Sequence, residues 1–309
     1  MIELAAETQS LEEFRRQNPD LFKKEDRLLL QHIGMVLSLL FISIALVILT
    51  PSISLKIILG AWNAFLWFSL VNATIHHHHT HHNAASNTFT KKLLDLIYLV
   101  VIPNAPKRKS RYTRVHLNHH ARPFHETDID HHYGKNHYLK MNQNLLTRIF
   151  YFLELTFVGG HVPGWEDDRY MSQVPLENWN QKDYEKVKQE ERKKAVGIAL
   201  LQWGLFGIAL WWLPAVAWGW AFPMLLVKNW AHYLGQFQHY DDRFLDPGRS
   251  ALNRARTYHI PSWFNYLAGG EISGHFLHHL FPEMPYYKIE TARKRFLKDP
   301  KLNELFMTY

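Results

Sequence analysis

The sequence predicts an all-α integral membrane protein: four transmembrane helices in two hairpins, topped by a cytoplasmic helical cap. Three observations predict it. Two pairs of apolar runs are each split by a short proline-containing turn. Those turns hold one lysine, whereas the termini and the long middle region hold nearly all the other Lys and Arg. Clusters of histidine at helical spacing all fall on that basic side.

Residues 1–27 are polar and charged, with Ser10 and Glu13 spaced as a capping box, so a short amphipathic helix is expected there. The segment has no apolar centre and is not a cleaved signal peptide. The first span runs from Leu28 to Leu49 and is broken by Thr50-Pro51-Ser52. The second covers about 53–73, with Lys56 near its start. Leu93 to Ile102 is too short to span and reads as an interfacial or half-buried segment, ended by Pro103 and Pro106. Residues 107–194 are mostly polar and close on a charged, helix-like run from Lys182 to Lys194. A third span covers about 195–213, Pro214 turns the chain, and a fourth covers about 215–227. The chain thus divides into a cytoplasmic segment (1–27), a membrane domain (28–290) and a basic tail (291–309). With an even number of spans, the positive-inside rule puts both termini and every histidine cluster on the cytoplasmic side. The competing reading is a soluble protein with four buried helices.

Composition narrows the chemistry. With no cysteine, disulfides, thiolate zinc sites and iron–sulfur clusters are excluded. The 21 histidines make nitrogen ligation the prominent option, because neutral imidazole suits iron, zinc, copper and nickel. The net charge of +7 fits an anionic membrane surface, and no basic–aromatic nucleic-acid module is present.

Four histidine groups carry the signal. The first is His76-His77-His78-His79-Thr80-His81-His82, at the exit of the second span. On a continuing α-helix His78 and His82 share a face, and His77 and His81 form a competing pair one register back. The second, His116-Leu117-Asn118-His119-His120, puts His116 and His119 on one face and leaves His120 able to reach an adjacent metal. The third, His275-Phe276-Leu277-His278-His279, repeats that pattern. His232 and His239 lie between, after the fourth span. Two copies of HxxHH on one side of the membrane suggest a site for two metals.

This arrangement of HxxxH, HxxHH and HxxHH around two hairpins resembles the membrane fatty acid desaturase/hydroxylase superfamily, over roughly residues 28–290. The stretch from Gly274 to Tyr287, GHFLHHLFPEMPYY, is similar to that family's third histidine box, and Gln238-His239-Tyr240-Asp241 resembles the position of its extra histidine. The resemblance implies that His78, His82, His116, His119, His120, His239, His275, His278 and His279 ligate two non-haem irons. It also implies dioxygen as co-substrate and hydrogen abstraction from an unactivated C–H bond. Many members have Asp or Glu after the first histidine of the first box, where this chain has His79. Glu126, Asp128, Asp130, Asp241 and Glu271 are then the candidates to orient the imidazoles.

The expected activity is an oxygen-dependent desaturase acting on a fatty acyl chain. Carotenoid, isoprenoid or fatty acyl hydroxylation on the same scaffold is the nearest alternative. Arg114-Val115-His116-Leu117-Asn118-His119-His120-Ala121 and His82-Asn83-Ala84-Ala85 are similar to the carotenoid-ring hydroxylase branch. A decarboxylase-type lipid oxidase and, outside enzymes, a histidine-rich metal transporter are further alternatives. A transporter would place its ligands inside the spans, where these histidines are not. No haem-domain HPGG motif or flavin fingerprint occurs, so an external donor such as a ferredoxin or small cytochrome must supply electrons. The basic tail, with Arg293, Lys294, Arg295 and Lys298, could dock such a donor.

Overall fold

The structure is a computed structural model. It describes residues 2–101, 111–121, 128, 143–154, 207–223, 226, 227 and 258–303, with isolated positions between 186 and 204. Among the described residues every regular element is helical and no strand occurs.

Helix α1 (Ile2–Gln17) starts well before Ser10, so the expected capping residue lies mid-helix; Leu4, Ala5, Ala6 and Glu7 are all helix-favouring. A 3₁₀ turn (Pro19–Phe22) leads to α2 (Asp26–Leu49), which matches the first predicted span within two residues. At 24 residues it is about 36 Å long, more than a bilayer's hydrocarbon thickness. The Thr50-Pro51-Ser52 break caps the next helix: the Ser52 hydroxyl accepts from the Leu55 N–H at 3.3 Å. Helix α3 (Ile53–Val71) then continues without interruption as a π-helical segment, Asn72–Thr80. These two helices are the described elements long and apolar enough to cross a membrane.

Both turn ends expose apolar side chains. Phe41 and Leu49 on α2 and Ile58 on α3 are mostly exposed, as are Trp211 and Trp212 before Pro214. Water penalises such a surface and hydrocarbon does not. The chain from Pro214 packs back on the first hairpin: a Cβ at Gly60 would collide with the Phe222 ring, and one at Gly219 would press on Ile44. Most of the expected third span, residues 195–206, and the run from Lys182 to Lys194 lie largely outside the described residues.

At the opposite end the spans carry polar groups inward. His32 on α2 is fully buried. Its Nε2 lies 2.9 Å from the Tyr266 carbonyl, which only accepts, so Nε2 holds the proton. Nδ1 therefore accepts from the Tyr286 hydroxyl at 2.8 Å. This pair ties the first span to the chain that follows the third histidine box.

Among the described residues, the histidine-bearing end is built from short helices. Helix α4 (Thr88–Val101) takes in the expected short apolar segment from Leu93 as far as Val101; it buries Leu94, Ile97 and Tyr98 and exposes Phe89 and Leu96. Helix α5 (Arg111–Ala121) carries the second box, and α6 (Leu145–Glu154) exposes Leu145, Leu146 and Phe150. Helices α7 (Ser262–Leu267), α8 (Glu271–Leu280, carrying the third box), α9 (Ile289–Phe296) and α10 (Pro300–Asn303) complete it. Gly270 sits at φ 79°, and a Cβ there or at Gly274 would strike Ile289, so both glycines let α9 lie directly on α8. The N-terminal segment closes over this pair. Phe14 stacks on Phe281 and meets Phe296 edge-on, while Arg295 clamps Asp20 through two 2.8 Å bonds. The residues from 289 onward thus bury Ile289, Ala292 and Phe296 against the core.

Candidate metal centre

Three helical segments end at one place, and each puts histidines in or just beyond its last turn: the π segment, α5 and α8. Helix C-termini carry partial negative charge, so the backbone itself favours a cation there. The HxxHH spacing then works as α-geometry requires, turning three imidazoles of α5 and three of α8 toward the convergence.

One nitrogen from each of His81, His116, His120 and His278 lies within 4.8 Å of every other. His81 and His120 each bring Nε2 to 3.1 Å from His116 Nε2. Beside this group His275 and His279 place their Nε2 atoms 3.0 Å apart. The two groups join ring to ring, His120 with His279 at 4.5 Å and His278 with His275 at 5.7 Å, and His119 packs on His279 at 4.8 Å. Six of the nine expected ligands, namely His116, His119, His120, His275, His278 and His279, are therefore together. His239 lies outside the described residues, as do Glu126, Asp130 and Asp241.

The first box reaches this centre through the competing register. His81 is in the cluster, and buried His77 packs on His278 at 4.9 Å. The reason is backbone geometry. A π-helix turns less per residue than an α-helix, which rotates the first box relative to the helix before it, so that His77 and His81 meet the centre and His78 and His82 do not. The helix then stops: His82 takes a left-handed conformation (φ 54°), and the Asn83 N–H closes on the His77 carbonyl at 2.9 Å, a wide version of the usual left-handed helix cap. His82 is consequently exposed, its Nδ1 2.9 Å from the His78 carbonyl. His78 turns the other way, toward Asp95.

Outer partners orient the inner rings. Asp128, fully buried, takes His119 Nδ1–H at 2.8 Å, which leaves the Nε2 lone pair toward the other histidines. Of the acidic candidates read from the sequence, Asp128 is the one whose role is visible here. Asn83 does the same for His77. Its Nδ2 donates at 2.8 Å to the carbonyls of both Pro282 and Met284, so Oδ1 faces His77 Nδ1 and must accept from it. Asn83 was not singled out from the sequence; the signal available was an amide directly after a histidine box.

Burial, and then the charges of neighbouring imidazoles, holds His120 and His278 far below the ordinary histidine range, so both rings are neutral lone-pair donors. Among the described residues neither ring nitrogen of His278 has a hydrogen-bond partner, although both are buried. An unpaired buried polar atom is costly, and a metal ion would satisfy it. The all-nitrogen donor set, without thiolate, fits first-row transition metals such as iron. The residues therefore fit a bound transition-metal ion.

The family model described as fatty acid desaturase matches residues 28–309. No curated protein matches the chain.

Proposed function

This chain belongs to the fatty acid desaturase family, and from that premise we propose that it is a multi-pass membrane enzyme that takes hydrogen from an unactivated C–H bond of a fatty acyl chain to leave a double bond. The family implies an oxidoreductase. The observation that carries the finer reading is the convergence of His81, His116, His120 and His278, continued by His119, His275 and His279. We assign these seven, with His77 beside them and His239, as the holders of two irons. When bound, the irons supply activation of dioxygen and removal of hydrogen from carbon.

The chain's own residues do the rest. Asp128 and Asn83 fix the tautomers of His119 and His77, so that each ring presents a lone pair at Nε2. Tyr286, fully buried, packs on the His77 ring at 5.1 Å and excludes water from it, while Phe276 and Leu277 bury the third-box helix in the core. Phe65, Trp67 and Phe68, buried near the end of α3, offer an apolar wall for an acyl chain, whereas Trp211 and Trp212 are exposed at the far turn and suit a lipid interface. Both termini and the metal centre lie on the cytoplasmic side in this reading. A ferredoxin or small cytochrome delivers two electrons. Arg293 and Arg295 are occupied by Glu290 and Asp20, so Lys294, exposed and 3.7 Å from Glu290, is the better placed basic group to meet an acidic donor.

The test is a lipid profile by mass spectrometry of cells expressing the wild type or His278→Ala, with a carotenoid-producing host in parallel. A new acyl double bond, absent with the variant, is the expected result. A new acyl hydroxyl or a hydroxylated carotenoid would overturn desaturation in favour of hydroxylation on the same centre.

A further inference from the structure

Outside the central cluster, a second group of ligating side chains gathers between the π segment and α4. His78 Nε2 lies 3.0 Å from Asp95 Oδ1, and His79 Nε2 lies 3.4 Å from the same oxygen. All three ligand atoms fall within 4.8 Å of one another, and the group shares no residue with His81, His116, His120 and His278. We propose that His78, His79 and Asp95 form a separate, peripheral site for a divalent transition-metal ion of the zinc class.

The spacing is that of ligands around one ion. At metal–donor distances of about 2.1 Å, tetrahedral donors stand about 3.4 Å apart and adjacent octahedral donors about 3.0 Å. Two imidazoles and a carboxylate suit zinc, cobalt and nickel, and leave further positions for water. Access is built in: the Asp95 side chain is 53% exposed, whereas those of His78 and His79 are 12% and 19% exposed. An ion can thus enter from the Asp95 side while the imidazoles stay fixed. The ring of His79 is further held against Tyr98 at 4.2 Å. Lys91, one turn before Asp95 and within electrostatic reach of His78, opposes a dication and makes this the weaker of the two sites. The alternative, both imidazoles donating to one carboxylate oxygen, binds no ion.

An ion there would join the π segment to α4, and the same segment presents His77 and His81 to the central cluster. The peripheral ion would therefore stiffen the first box without touching substrate.

Metal content separates the alternatives. The purified full-length protein in detergent is stripped of metal, dialysed against Zn²⁺ and measured by elemental mass spectrometry, beside Asp95→Asn and His79→Gln. Both variants are expected to hold one Zn²⁺ fewer than the wild type. Adding Asp95→Asn to His120→Ala, which damages only the central cluster, is expected to remove that same single ion. Asp95 is exposed and the asparagine keeps its shape, so folding does not confound that arm. Equal zinc content in wild type and Asp95→Asn would overturn the proposal, as would loss of more than one ion from the single variant. Neither result depends on which reaction the central cluster performs.

Discussion

His278 and Asp95 stand at opposite extremes of two neighbouring clusters. His278 is 1% exposed, both its ring nitrogens are cut off from water, and the rings of His77, His81, His116, His120, His275 and His279 pack about it. Asp95 is more than half exposed, and its carboxylate faces His78 and His79, which stand outside the central cluster. Burial separates what the clusters can do. In the sealed one burial keeps His120 and His278 neutral, and a metal is the strongest partner available for their lone pairs. In the open one water and protons compete for every position, so binding is weaker and reversible.

The largest effect should come from the sealed side. His278→Ala and His120→Ala each remove a central donor, and turnover should fall by more than the roughly 100-fold typical of losing an outer partner of a metal ligand. Circular dichroism and membrane insertion should be unchanged. Turnover at wild-type level in either variant would break the comparison, because the buried cluster would then not be the reactive one.

Next come the groups that aim the rings. Asp128→Asn keeps the shape but loses the charge that holds His119, and metal affinity should drop about 10–100-fold, read by chelator competition. Asn83→Ala should have a mixed effect. It releases the His77 tautomer and strips partners from the Pro282 and Met284 carbonyls, costing about 1–3 kcal/mol in stability together with a smaller loss of metal. A thermal-melt shift without any change in metal affinity would mean that Asn83 only pins the loop.

A smaller effect should appear at low pH, away from both clusters. Glu290 accepts from Ser262 at 2.8 Å and Asn265 at 2.6 Å, and from Arg293 through two bonds, joining α7 to α9. Burial alone would raise its pKa, but the Arg293, Ser262 and Asn265 hydrogen bonds outweigh burial and leave it below the ordinary value. A depressed carboxylate contributes stability that is present above its unfolded pKa and lost as pH falls through its folded one. The melting temperature of the wild type should therefore fall more steeply below about pH 4.5 than that of Glu290→Gln, which is already without the charge. Parallel curves would remove Glu290 from the acid response.

Much of this arrangement could be read from the sequence wherever the backbone is regular. Hydropathy located α2 within two residues and the start of α3 at Ile53, because apolar runs between proline breaks leave little choice. The two HxxHH boxes were equally legible: α5 and α8 are ordinary α-helices, so spacings of three and four map directly onto one face. Asp128 was legible as a class, an acid shortly after a box, although nothing in the sequence separates it from Glu126 or Asp130. Asp95 was not legible, because a lone carboxylate in an apolar run says nothing of what folds over it. The first box was ambiguous for a sharper reason. Seven positions with six histidines, His76 to His82, offer every register at once, and only the π geometry and the turn at His82 choose among them.

That choice makes the smallest expected effect the most informative. His82→Gly removes an exposed imidazole whose Nδ1 lies against the His78 carbonyl, and it places glycine where φ is 54°. A left-handed position at a helix end favours glycine, so stability should be unchanged or higher by up to about 1 kcal/mol. The bond from Lys24 Nζ is made to the His82 backbone carbonyl and survives the change. Turnover should therefore remain within about twofold of wild type, which is under 0.5 kcal/mol on the barrier, whereas His81→Ala should behave like His120→Ala. The reverse outcome, a silent His81 and an essential His82, would move the first box back to the α-helical register and place His78 with it in the central cluster.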